Sequence, residues 1–160
     1  MIDTPGILDT SVVKMMGGYK SWLPAYKEVQ ERTLTEFATM YIMAPQGFDA
    51  IILVAKFGVR FTAEDAEALN LLKRFLGKES ESHMILLLTR GDEAERNARR
   101  KKVSPVMTYV RQWINAMPEW VRDFIHQIGD RVVLFNNLLE ADTEREAYHR
   151  QLQELIEVSC

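Results

Sequence analysis

The stretch H-M-I-L-L-L-T-R-G-D, residues 83–92, decides the fold. Its first half is apolar from Met84 to Leu88, and its second half contains polar residues and a glycine. A short, continuous apolar run predicts a strand that is covered on both faces, as in parallel sheets flanked by helices. Ala50–Phe57 and Arg131–Phe135 repeat this pattern. We therefore predict three buried parallel strands.

Helical patterns alternate with these strands. Thr62–Asp65 predicts a helix that starts with a capping box, and Gly77 predicts its end. Ser104 and Pro105 predict another start, with serine as the cap and proline at the first helical position, and Pro118 restarts that helix. Alternation of strands and helices predicts an α/β fold, a three-layer sandwich with right-handed crossovers between its strands.

The composition excludes several classes of protein. The 160 residues are 47% hydrophobic and 27% charged, with a net charge of −3, which is ordinary for one soluble globular domain. Cys160 is the single cysteine, so an intrachain disulfide cannot form, and a reducing, cytoplasmic location is expected. Zinc sites need clustered ligands, and the three histidines are scattered: His83, His126 and His149.

Two further partners are not indicated by the sequence. The longest apolar runs are far shorter than the roughly 20 residues that cross a bilayer, so no membrane span is expected in this chain. The basic residues within 96–102 follow acidic ones, and no aromatic residues interleave with them to stack on bases. We interpret this run as a solvated helix face and expect no binding of nucleic acid.

The chain opens on the turn Asp3-Thr4-Pro5-Gly6. In a nucleoside triphosphatase, an aspartate at a strand end holds Mg²⁺, commonly through water, and a glycine N–H approaches the γ-phosphate. Loss of that contact on hydrolysis makes such a loop a switch. Aspartate, proline and glycine also form ordinary β-turns, and the turn alone does not decide between the two interpretations.

Thr89, Arg90, Gly91 and Asp92 follow the second predicted strand, where open parallel sheets build ligand sites. The Asp92 carboxylate can accept hydrogen bonds from guanine N1–H and the exocyclic amine, and adenine would leave it facing an acceptor. The stem of Arg90 can lie over the base. The alternative is a solvated loop in which Asp92 is the N-cap of the next helix.

Asn136 follows the third strand, where its amide can reach the other side of a base, although asparagine is also a common turn residue. Arg60 lies between the first strand and the capped helix. From the residue alone, Arg60 is a surface arginine.

Together these motifs resemble the GIMAP/IAN (immunity-associated nucleotide-binding, AIG-type) GTPases. The resemblance covers nearly the whole chain through four blocks: D-T-P-G-I-L-D-T, F-D-A-I-I-L-V-A-K-F-G-V-R-F-T-A-E-D, H-M-I-L-L-L-T-R-G-D and R-V-V-L-F-N-N. The second block is the most specific, because a glycine, Arg-aromatic-Thr and then acidic residues opening a helix is a box that other small GTPases lack.

The resemblance implies a P-loop NTPase-type, doubly wound and mostly parallel sheet that binds GTP or GDP and Mg²⁺ at its carboxyl edge. It carries over Asp3 as the Mg²⁺-associated acid and Gly6 as the γ-phosphate contact. It makes Asp92 the guanine reader, with Thr89 and Arg90 beside it. Arginine at position 90 stands where GTPases in general have lysine, a substitution familiar in this family.

The resemblance also implies that Asn136 contacts the other side of the base. Members often dimerise through the nucleotide face and supply an arginine across the interface. Arg60 is the matching residue for this trans-acting role. A homodimer or larger oligomer formed through the nucleotide face is therefore expected.

The phosphate-loop motif G-x-x-x-x-G-K-S/T is absent from the 160 residues. In the family, a strand, this loop and a first switch segment precede D-T-P-G, so we interpret residues 1–160 as an AIG-type domain that is incomplete at its N-terminus, without its first strands and phosphate loop. The lost strand would lie beside Ala50–Phe57, so its removal would expose an apolar edge. A membrane anchor in a missing extension would not be visible.

Three functions follow from this interpretation. The first is GTP binding with slow hydrolysis in a full-length protein that has the loop, and weak or no GTP binding by these 160 residues. The alternative is a pseudo-GTPase, a non-enzymatic interaction or scaffold module without nucleotide turnover. An ATPase of related architecture would need a different residue to recognise the base.

Overall fold

The computed structural model describes Thr35, residues 38–39, residues 42–138 and residues 145–159. The chain divides into two compact units. One comprises residues 1–48 and 62–77, and the other comprises residues 49–61 and 78–160. All three described strands belong to the second unit.

The second unit is built on a parallel sheet of three strands in the order β1-β2-β3. The strands are β1 (Ile51–Lys56), β2 (Met84–Thr89) and β3 (Val132–Leu134). Ile51 pairs with Met84 in the first ladder, and Leu86 pairs with Val132 in the second. This confirms the α/β class and the parallel sheet predicted from the apolar runs.

Burial differs between the strands. β2 is buried from Met84 to Leu88, as its continuous apolar sequence predicts. β1 alternates instead: Leu53 is buried, whereas Ile52 is 38% exposed and Val54 is 56% exposed. The prediction that every strand is covered on both faces is therefore wrong for β1, which presents one apolar face outward.

The helices of the second unit follow β2 and β3. A 3-10 turn at Lys78–His83 leads into β2. The helices of this unit are α2 (Gly91–Arg100), α3 (Val106–Asn115), α4 (Glu119–Gln127) and α5 (Arg145–Ser159). Helix α5 packs against β2 and β3, and α3 contacts both α2 and α4.

The first unit contains α1 (Ala63–Leu76). Its start confirms the predicted capping box: the Asp65 N–H donates to Thr62 Oγ1, and the Thr62 N–H donates to the Asp65 carboxylate at 2.7 Å. Its end is also as predicted, since Gly77 has a positive φ of 82° that favours glycine. Leu69 and Leu72 are buried.

The start of α3 differs from the prediction. Pro105 holds the N-cap position with extended backbone, and the helix begins at Val106. No side chain caps the helix there, so Ser104 is not its cap. The restart at Pro118 is confirmed, because α4 begins at Glu119.

Aromatic packing fixes the segment that follows β1. Phe57 is fully buried, and its ring centroid lies 4.7 Å from that of Trp113 in α3. The Phe61 ring meets the Trp120 ring edge-on at 6.1 Å. Both ends of the segment 57–61 are therefore held by aromatic packing against half-buried tryptophans.

Candidate functional site

The carboxyl ends of the three strands are joined by hydrogen bonds between their backbones. The Phe57 N–H donates to the Thr89 carbonyl at 3.0 Å, and the Phe135 N–H donates to the Leu88 carbonyl at 2.7 Å. The Gly91 N–H then donates to the Phe135 carbonyl at 2.9 Å. These bonds bring residues 89–92 and 135–136 to one edge of the sheet, which we call the rim.

Thr89 is the last residue of β2 and is partly buried. Its Oγ1 donates a hydrogen bond to the Ala55 carbonyl at 3.2 Å. This bond ties the end of β2 to β1, so the hydroxyl supports the rim from within the sheet.

Arg90 turns the chain from β2 into α2. It has left-handed backbone, with φ 67° and ψ 39°, and holds the N-cap position of α2. Its Nη2 lies 2.7 Å from Glu93 Oε2. The guanidinium is thus anchored beside the rim, on a side chain that is 49% exposed.

Glu93 also faces the segment that follows β1. A Cβ atom added at Gly58 would lie 3.4 Å from Glu93 Oε1, so the carboxylate and the Gly58 backbone are neighbours. Sequence reasoning gave Glu93 no role, because its contact with Gly58 spans 35 positions of chain.

Gly91 is buried and makes the closest approach within the rim. A Cβ atom at this position would lie 3.0 Å from both the backbone N and the Cβ of Asn136. Real Cβ atoms are essentially never closer, so only glycine fits here without displacement. Asp92 and Asn136 are therefore held on neighbouring segments. The sequence shows this glycine but not its partner.

Asp92 lies in the first turn of α2, where the helix dipole favours a negative charge. Its Oδ2 accepts a hydrogen bond from Arg96 Nη2 at 2.6 Å. Within the described part of the chain, Oδ1 has no hydrogen-bond partner, and the side chain is 23% exposed. Because Arg90 holds the N-cap position, the alternative in which Asp92 caps the helix is wrong.

The orientation of the Asn136 side chain is set by its neighbours. Its Oδ1 accepts a hydrogen bond from the Leu138 N–H at 2.9 Å, which makes a local turn. A carboxamide carries one acceptor oxygen and one NH₂ group. Since the oxygen is used in the turn, Nδ2 is the atom that can donate to a ligand.

Arg60 lies on the exposed part of the segment between Phe57 and Phe61. No contact among the described residues joins it to the rim. Asp3 and Gly6 lie outside the described residues, so the structure does not place the predicted Mg²⁺ and γ-phosphate contacts. Among the described residues, no group of three histidine, cysteine, aspartate or glutamate side chains could hold a metal ion.

A separate cleft of about 350 Å³ lies between α3, α4 and the start of β3. Its lining includes Arg111, Arg122 and Val132, the first residue of β3. It therefore lies toward the amino end of β3, and none of the nucleotide-site residues predicted from the sequence lines it.

The fold and rim define an α/β protein with a parallel sheet and a polar rim beyond the carboxyl ends of its strands, the place where open parallel sheets commonly bind ligands. The chain belongs to the AIG1 family, whose sequence model matches residues 1–159. None of the described helices is long and apolar enough to cross a bilayer.

Known relatives share low but extended identity with the chain. Immune-associated nucleotide-binding protein 4 of Arabidopsis thaliana is 27% identical over 156 residues, which are 98% of this chain and 40% of that protein. Immune-associated nucleotide-binding protein 9 of the same plant is 27% identical over 158 residues, 98% of this chain and 39% of the relative. The chain thus spans about two-fifths of the length of these relatives.

Proposed function

We propose that this chain is a guanine-nucleotide-binding domain in which Asp92 and Asn136 recognise the base. The observation that carries the proposal is the contact between Gly91 and Asn136, which holds the two candidate base-reading residues on adjoining segments of one rim. Membership of the AIG1 family and the names of the relatives, which describe nucleotide-binding proteins, support the same function.

The two side chains have complementary hydrogen-bonding roles for guanine. Asp92 offers carboxylate oxygens to the N1–H and N2–H₂ donors of the base. Asn136 offers its Nδ2 donor to the O6 or N7 acceptor of the same base. Adenine presents an amine in place of O6 and an acceptor in place of N1–H, so its N1 would face the Asp92 carboxylate with no hydrogen to share. Thr89 would hold the rim in place from the end of β2, and the stem of Arg90 would lie over the face of the base.

The residues proposed to contact the triphosphate and its metal ion lie outside the described ones. Asp3 would hold Mg²⁺, which when bound neutralises charge on the phosphates, and Gly6 would contact the γ-phosphate. A longer protein with a phosphate loop would hydrolyse GTP slowly and act as a switch or assembly module in the cytoplasm. Its homodimer would bring Arg60 of one copy to the nucleotide of the other.

The base-binding part is tested by NMR titration of the 160-residue chain with GMP and with AMP. We expect millimolar binding of GMP, about −4 kcal/mol, because the chain has no G-x-x-x-x-G-K-S/T motif for the phosphates. Chemical shifts at the amides of Gly91, Asp92 and Leu138 should move with GMP and much less with AMP. Equal responses to the two nucleotides, or none near 10 mM, would contradict the proposal.

The variant Asp92→Asn distinguishes recognition of the guanine base from binding of the nucleotide as a whole. An amide cannot accept both guanine hydrogen bonds, and each bond to a charged group contributes about 1.5–3 kcal/mol, so GMP binding should fall by at least about tenfold. Xanthosine monophosphate, which has an acceptor at position 2, should bind this variant better than GMP. An unchanged preference for GMP would remove Asp92 from the assigned role.

A further inference from the structure

Gln151, a side chain of helix α5, reaches the rim. Gln151 Oε1 accepts a hydrogen bond from the backbone N–H of Asn136, across 15 positions of chain, at a partly buried place. Gln151 itself is half-buried, whereas Gln153, two positions further along the same helix, is exposed. Helix α5 also packs against β2 and β3, so it is held close to the end of the sheet.

The position of Asn136 in the chain explains why this contact matters. The preceding residue, Phe135, donates the last ladder bond, to the Leu88 carbonyl. Asn136 is therefore the first residue after β3 whose N–H does not donate a hydrogen bond to a strand of the described sheet. A backbone N–H that is partly removed from water needs another acceptor, and Gln151 supplies it.

The Asn136 backbone is thus held from two sides. Gly91, at the start of α2, lies so close to it that an added Cβ atom would be 3.0 Å from the Asn136 backbone N, and Gln151 accepts a hydrogen bond from its N–H from α5. The Leu138 N–H fixes the side-chain oxygen as well. With backbone and oxygen both held, the direction of Nδ2 is determined before a ligand arrives, which lowers the ordering cost of binding.

We propose that Gln151 is a positioning residue for the guanine site, one that acts through Asn136 and does not touch the nucleotide. The inference rests on the proposed function, because it concerns the same base. It also makes α5 responsive to the ligand. A base that binds Asn136 favours the conformation in which Gln151 is engaged, and by thermodynamic linkage it must stabilise that contact in return.

The test uses three variants of the 160-residue chain: Gln151→Leu, Gln151→Glu and Gln153→Leu. Leucine removes the acceptor at nearly the same size, glutamate retains an acceptor oxygen, and the Gln153 variant makes the same exchange at an exposed position. GMP affinity is measured by NMR titration. Hydrogen exchange of the Asn136 amide is measured with and without GMP.

We expect Gln151→Leu to weaken GMP binding about fivefold, from the loss of one hydrogen bond to the positioned segment. Exchange of the Asn136 amide should be faster in that variant, even without ligand. Gln151→Glu and Gln153→Leu should stay within about twofold of the unmodified chain, the size of a near-neutral surface change. GMP should slow amide exchange in α5 of the unmodified chain and not of Gln151→Leu.

The outcomes separate the two proposals. If the unmodified chain binds GMP and Gln151→Leu binds it equally well, the positioning role is overturned while the proposed function stands. If the unmodified chain does not distinguish GMP from AMP, the proposed function and this inference both fail. If Gln151→Leu unfolds, the test rests on Gln151→Glu. A Gln151→Glu variant that loses GMP binding and protection of the Asn136 amide overturns the positioning role.

Discussion

Gly91 is the residue on which the geometry of the rim depends most. It lies in the first turn of α2 and its φ is not positive, so the helix itself would accept alanine there and even gain up to about 1 kcal/mol. The obstacle is Asn136, whose backbone N and Cα would lie 3.0 and 3.1 Å from the new Cβ. These backbone atoms cannot rotate away as the tip of a side chain can.

We therefore predict that Gly91→Ala lowers the free energy of unfolding by roughly 1–3 kcal/mol, the usual cost of overpacking, despite the higher helix propensity of alanine. Urea denaturation measures the change. Arg100→Ala, at an exposed position of the same helix, serves as the control and should stay within about 0.5 kcal/mol. A Gly91→Ala variant more stable than the unmodified chain would mean that residues 91 and 136 are not held together.

At the scale of elements, two helix starts that look alike in sequence differ in the structure. Thr62 caps α1 through a reciprocal pair of hydrogen bonds with Asp65, whereas Ser104 makes no cap for α3. We predict that Thr62→Ala lowers the free energy of unfolding of the unit containing α1 by about 1 kcal/mol, the typical value of an N-cap. Ser104→Ala should change stability by less than about 0.5 kcal/mol.

Thermal denaturation monitored by circular dichroism measures both effects. Both variants remove a hydroxyl group, and Thr62→Ala also removes one methyl group at an exposed position, so a difference of about 1 kcal/mol between them comes mainly from the cap. Equal losses of stability would show that the capping bonds of Thr62 contribute no more than an ordinary surface hydroxyl.

The elements themselves could be predicted because their signals are local. The apolar run of β2 and the capping residues of α1 lie within a few positions of one another, and both predictions are confirmed. The start of α3 could not be predicted from Ser104, because it depends on ψ of Pro105, which is extended at 165° and which the proline ring does not fix. The outward face of β1 was also missed, since an apolar run does not reveal whether a neighbour covers it.

For the whole molecule, the rim could be predicted in outline. Parallel strands place their carboxyl ends at one edge, so Thr89, Asp92 and Asn136 were expected there. The contacts that set their positions were not predictable, since each joins distant parts of the chain: Gly91 with Asn136, and Asn136 with Gln151. Neither contact has a sequence motif, and a glutamine within a helix has no distinctive spacing.

At the scale of the whole molecule, the exposed apolar face of β1 is expected to affect self-association in solution. In the described sheet β1 pairs with β2 alone, and Ile52 and Val54 project from its exposed face. An apolar strand at the edge of a sheet can pair with another chain. We predict that the 160-residue chain self-associates in a concentration-dependent manner, whether or not guanine nucleotide is present. Val54→Lys should reduce this association, because a charged residue on an edge strand opposes pairing with another chain.

Sedimentation velocity at several protein concentrations measures the association. Val54 is 56% exposed, so Val54→Lys should change the free energy of unfolding by less than about 1 kcal/mol. Leu152→Lys provides the matched control, because Leu152 is 46% exposed but belongs to α5, which packs against β2 and β3. If both variants reduce self-association equally, general surface hydrophobicity drives it. If association appears only with nucleotide, the nucleotide face drives it and the β1 face does not.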